Sequence, residues 1–133
     1  MSDRLLATSI DARWHYPAPG VGAVTTNFAG ASEAVVRTII QTFAGPPNTG
    51  VDSPSLQHTA FEIGRAVIRA VPAVQDISLN CPNIHNIPVD FSPFPGQKNQ
   101  DATGNPDVFW ATKEPFGIIK VTVARDNRRR SRI

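Results

Sequence analysis

Two short stretches of this sequence gather polar side chains at spacings that chemistry can use. In Ser53-Pro-Ser-Leu-Gln57, Ser53 reads as the cap of a helix and Pro54 as its first residue, where a missing N–H costs nothing. Leu56 and Gln57 then fall in the first turn, where main-chain N–H groups lack acceptors within the helix and the dipole end is positive. An anionic planar ligand suits such a place. It could take the N–H near Leu56 and the amide of Gln57, whose adjacent donor and acceptor match the edge of a purine-like ring. The same pattern describes a solvated Gln early in a helix. In Cys81-Pro-Asn-Ile-His85, Asn83 and His85 stand two residues apart between apolar alternating runs, so both can leave the same face. A hydrogen-bonded structural pair is the other reading of that spacing.

Other chemical signatures are missing. The three histidines, His15, His58 and His85, do not stand at metal-ligand spacing from one another, so no metal site is expected. There is no glycine-rich phosphate loop and no Gly-x-Ser-x-Gly elbow. Cys81 reads as a small core residue, because a reactive thiol needs an electropositive setting that this stretch lacks. His15 ends a polar strand face and is expected to be solvated.

The elements that must position these residues follow from periodicity. From Leu6 to Tyr16 the chain alternates over eleven residues, with Leu6, Thr8, Ile10, Ala12, Trp14 and Tyr16 on one side, which predicts one strand. A second short strand is expected over residues 21–28. Ser32 then reads as the cap of a helix carrying Val35, Val36, Ile39, Ile40 and Phe43, which Gly45-Pro-Pro47 stops. The next helix carries the stripe Leu56, Ala60, Ile63, Val67 and Val71, and Pro72 ends it. Strand runs follow at Ile77, Leu79, Cys81 and at His85, Ile87, Val89, Phe91, with Pro82-Asn-Ile84 as a bulge or kink between them. Residues 92–107 read as a loop, and Gly117 to Ala124 as a last strand with Ile119, Val121 and Val123 on one side. This order predicts an α+β layer, two adjacent helices on one face of an antiparallel sheet.

Composition narrows the partners. The chain has 133 residues, 41% of them apolar, enough for a sizeable core. No apolar run approaches the roughly 20 residues of a membrane span, and the N-terminus does not read as a secretory signal. The net charge of +2 is misleading, because residues 124–133 hold five of thirteen basic residues and one acid. The remainder has eight basic and ten acidic residues, so nucleic acid could be bound only by the tail. Neither a nucleic-acid nor a membrane partner is expected.

Several segments together resemble the C-terminal half of the urate oxidase (uricase) family. They are Asp3-Arg-Leu-Leu-Ala-Thr through Trp14, Thr42-Phe43, Ser53-Pro-Ser-Leu-Gln57, Leu79-Asn-Cys-Pro-Asn-Ile-His85, Val89-Asp90, Asp107-Val-Phe109 and Glu114-Pro-Phe-Gly-Ile-Ile-Lys-Val-Thr-Val123. Order and spacing agree along nearly the whole chain. Cys81, where the family usually has a bulkier apolar residue, and the Pro/Asn-rich insert at 93–106 are departures.

The resemblance implies a tunnelling-fold unit over residues 1–124, an antiparallel four-stranded sheet with two helices on one face, followed by a basic tail over 125–133. It implies oxidation of urate by O2 and water to 5-hydroxyisourate and hydrogen peroxide, with no metal or organic cofactor. Carried over by residue, Gln57 would hold the pyrimidine-side edge of urate, helped by the N–H of Leu56. Asn83 would hold dioxygen or water over the ring, and His85 would serve a proton relay. The family's urate-gripping Arg and stacking Phe lie upstream of Met1, and its Lys and Thr-Asp pair belong to the first half of the full-length protein. An N-terminal-half partner chain and a tetramer-like barrel are therefore expected. Ser131-Arg132-Ile133 resembles a Ser-Lys-Leu type of peroxisomal address, with the cytoplasm as the alternative location. The competing reading is a non-catalytic assembly or binding protein that has kept the fold, although such a scaffold has no packing reason to retain Gln57, Asn83 and His85 together.

Overall fold

The computed structural model describes residues 5–18, 27–100 and 106–126. Its elements run β1 (Leu5–Ala7), β2 (Asp11–His15), α1 (Phe28–Ala44), α2 (Leu56–Ala70), β3 (Asp76–Pro82), β4 (Ile84–Pro88), β5 (Phe109–Thr112) and β6 (Ile118–Ala124). The α+β class and the pair of adjacent helices are as the periodicity predicts. The single four-stranded sheet is not: the strands form two three-stranded sheets, ordered β1-β4-β5 and β2-β3-β6. The strand expected from Leu6 to Tyr16 is accordingly two strands, β1 paired antiparallel with β4 and β2 with β3. Pro82 has no N–H to continue a ladder, and β3 ends there. The chain divides into two compact units, one made of residues up to Ser9 with Pro82–Ile118, the other of Ile10–Cys81 with the residues from Ile119 on.

The second of these units holds both helices and the core. Helix α1 starts earlier than Ser32, because Asn27 is the cap: its side chain accepts the N–H of Gly30 at 3.0 Å and its carbonyl accepts that of Ala31 at 2.9 Å. Residues 21–26 of the expected second strand lie outside the described residues, and Phe28 is helical. Val35 and Ile39 are buried and Phe43 partly so, whereas Val36 and Ile40 face outward. Gly45 ends the helix at φ +68°, and a Cβ there would meet the Gly50 backbone at 2.7 Å.

All five residues of the expected stripe are buried, Leu56, Ala60, Ile63 and Val67 on α2 and Val71 just past its end as the C-cap. They pack with Ile77, Leu79 and Cys81 on β3 and with Ile119, Val121 and Val123 on β6. Full burial of a side chain such as Ile63 or Ile77 is worth about 1.5–3 kcal/mol, so this helix–sheet layer stabilises the unit strongly. Gly64 lets α2 come close to β6: a Cβ there would stand 2.5 Å from Cγ2 of Val123. Arg125, just past β6, donates from Nη2 to the carbonyls of Ile68, Val71 and Val74, and from Nε to Val74 as well. One guanidinium thus gathers a carbonyl from the last turn of α2 and two from the chain just beyond it.

In the other unit β4 is central, with His85 opposite Leu6 of β1 and Thr112 of β5. Strand β5 was not expected from periodicity. The loop before it is closed by Asn99, whose Nδ2 donates to the carbonyls of Val89 and Val108 while Oδ1 accepts the N–H groups of Asp107 and Val108. One side-chain amide there takes the place of a short piece of strand.

Candidate functional site

The four candidate residues lie in pairs, Leu56 and Gln57 in the helical unit and Asn83 and His85 in the other. The cap of α2 is Ser55 rather than Ser53, and Leu56 rather than Pro54 is its first residue. Ser55 Oγ accepts the N–H of His58 at 3.1 Å, and its carbonyl accepts that of Thr59 at 3.0 Å. Ser53 has another task. Its hydroxyl donates to the Ser55 carbonyl at 3.1 Å and shares a hydrogen bond with the buried hydroxyl of Thr59, which fixes the entry of the chain into the helix. Leu56 and Gln57 therefore keep the expected first-turn position, where their N–H groups have no acceptor within the helix. Leu56 is buried and anchors the turn, and Gln57 is exposed with its amide free to meet a ligand. Polar main-chain donors and a side-chain amide next to a buried Leu can hold one edge of a flat, anionic, hydrogen-bonding ring.

In the other unit Asn83 occupies the single position between β3 and β4. It is half-buried, and its N–H donates to the Gly117 carbonyl at 2.8 Å. His85 is half-buried on β4, with Nε2 3.2 Å from the Pro115 carbonyl. The register places Ile87 and Trp110 on the same face of this sheet as His85 and Leu6, and Trp110 is 65% exposed. This face joins an imidazole to open apolar surface. A half-buried imidazole can move a proton, and an amide side chain can orient a small polar molecule.

The remaining polar groups sort differently. His15 is exposed, but it is paired: Nδ1 lies 2.7 Å from Asp76 Oδ1, its partner across the β2–β3 ladder. Cys81 is buried and burial raises its thiol pKa, in keeping with a core role. Among the described residues, no three His, Cys, Asp or Glu side chains are grouped as a metal ion requires. None of the described helices is long and apolar enough to cross a membrane. A hollow that the sequence reading did not single out lies on the outer face of β2-β3-β6, lined by Asp11, Arg13, Ser78, Asn80, Lys120 and Thr122. Asn80 Oδ1 is buried there with no hydrogen-bond partner among the described residues. Alternation along β3, with Ile77, Leu79 and Cys81 inward, was the available signal for this polar face. Residues 127–133, including Ser131-Arg132-Ile133, lie outside the described residues.

Comparison with known proteins is consistent along the chain. The Uricase family model matches residues 1–120, a span that contains all four candidates. A uricase of Arabidopsis thaliana is 38% identical over 127 residues, covering 92% of this chain and 40% of the relative. The uricase of Arthrobacter globiformis is 35% identical over 128 residues, covering 96% of this chain and 37% of the relative. Its crystal structure superposes with a TM-score of 0.72 at 34% identity over 92% of this chain. A urate oxidase structure from Bacillus sp. TB-90, 16% identical with a TM-score of 0.63, shares the fold. The chain thus spans about two-fifths of the length of these relatives, and its architecture is the tunnelling fold of the uricase structures. With a family match running through both units and all four candidate positions, the chain belongs to the uricase family.

Proposed function

We propose that this chain carries the C-terminal part of a urate oxidase site, oxidising urate with O2 and water to 5-hydroxyisourate and hydrogen peroxide. The observation that carries the reading is the family match over residues 1–120, which spans Leu56, Gln57, Asn83 and His85. The first-turn position of Leu56 and Gln57 supports a role for them on the pyrimidine-side edge of urate, Leu56 through its N–H and Gln57 through its amide. Asn83 holds dioxygen or water above the ring. His85 passes protons, helping to deprotonate urate and then to activate water. No metal or organic cofactor takes part. The Arg, Phe, Lys, Thr and Asp that complete the site come from an N-terminal-half chain within a barrel-like oligomer. Ser131-Arg132-Ile133 directs the protein to the peroxisome, where hydrogen peroxide is released beside catalase.

The test is the loss of urate absorbance, measured for this chain alone and together with the chains that co-purify with it. Turnover only in the complex is expected. Urate binding without turnover in every preparation would favour the non-catalytic assembly reading.

A further inference from the structure

We infer that the segment 113–117 fixes which nitrogen of the His85 ring carries the proton, with Thr112 as the positioning residue that holds this segment. The inference deepens the reading of His85 as a proton-transfer group, but its geometric content can be measured apart from urate chemistry. A carbonyl oxygen only accepts hydrogen bonds. The 3.2 Å contact between His85 Nε2 and the Pro115 carbonyl therefore makes Nε2 the donor. A neutral imidazole has one N–H, so the lone pair is on Nδ1. Nδ1 becomes the atom that takes a proton and returns it, and the Pro115 bond survives in both charge states.

The acceptor is held from both ends. Thr112 lies directly across the ladder from His85, and its hydroxyl accepts the N–H of Glu114 at 3.1 Å. At the other end the Gly117 carbonyl accepts the N–H of Asn83 at 2.8 Å. One tie leads back to Thr112, across the ladder from His85, and the other to Asn83, two residues before it, so the ring and its acceptor are carried together. Asn83 then has two tasks, a side chain for the ligand and an N–H that closes this strap. A ring without such an acceptor would exchange tautomers and lose a fixed direction for proton transfer.

The test is 1H–15N NMR of histidine-labelled chain with its co-purifying partners, at about pH 8.5, where an ordinary histidine ring is neutral. The His85 signal is assigned by its absence in His85→Gln. The wild-type protein is expected to show a protonated Nε2, a lone-pair Nδ1 and an Nε2 proton protected from exchange with water. Thr112→Val should speed that exchange roughly tenfold or more, the factor carried by one lost hydrogen bond, and Thr112→Ser should restore it. A His85 protonated on Nδ1 would overturn the proposal, as would protection unchanged by Thr112→Val. The wild-type tautomer decides the matter even if Thr112→Val does not fold. Loss of the urate oxidase reading would leave this measurement untouched, so the two failures are distinguishable.

Discussion

Gln57 and His85 divide the work of the proposed site between holding and proton transfer, and the two are separable by experiment. Replacing Gln57 with Ala removes a donor and an acceptor from the first turn of α2, and leaves the polar edge of the ligand unsatisfied. Affinity for urate or a xanthine-type analogue should fall by about 1–3 kcal/mol, measured by titration calorimetry on the assembled enzyme. His85→Ala should instead lower turnover by roughly 10²–10⁴-fold while binding changes much less. Equal losses in binding and turnover would make His85 a structural residue. The sequence singled out these residues because their types and spacing are local properties. It missed the actual cap, since Ser53 and Ser55 both have a capping side chain. Ser53 is drawn instead to the Thr59 hydroxyl inside the fold, a contact that helix-start rules do not contain.

Close approach decides the helical layer at the scale of elements. A methyl group at Gly64 would press on Val123 at 2.5 Å, with Ile77 next at 3.8 Å. Gly64→Ala is therefore expected to destabilise the fold by about 1–3 kcal/mol, despite the better helix propensity of Ala. Urea denaturation would show it as a lower midpoint with an unchanged slope. The stripe of α2 and the inward run of β3 were legible because burial imposes one period on each element. Strand β5 was not, because Phe109–Thr112 has no alternation of its own and is defined by its register with β4. The break between β1 and β2 was hidden for the opposite reason. Alternation continues through Thr8 and Ser9 although the pairing partner changes from β4 to β3.

On the scale of the whole molecule, open apolar surface argues for assembly. Leu6, Ile87 and Trp110 are exposed on the face that bears His85, and exposed aromatic and aliphatic groups around a polar centre mark an interaction surface. Native mass measurement should accordingly give a species heavier than the 14.4 kDa chain. A monodisperse monomer that oxidises urate would rule out a shared site. The guanidinium of Arg125 also has a consequence in time. It bonds the Ile68 carbonyl, a partner 57 residues earlier in the chain. At roughly 5–20 residues per second, a ribosome needs on the order of 3–11 s to pass from one partner to the other. For those seconds the Ile68 carbonyl lacks this donor, and a chain stalled before residue 125 would leave the ribosome with that helix end unfastened.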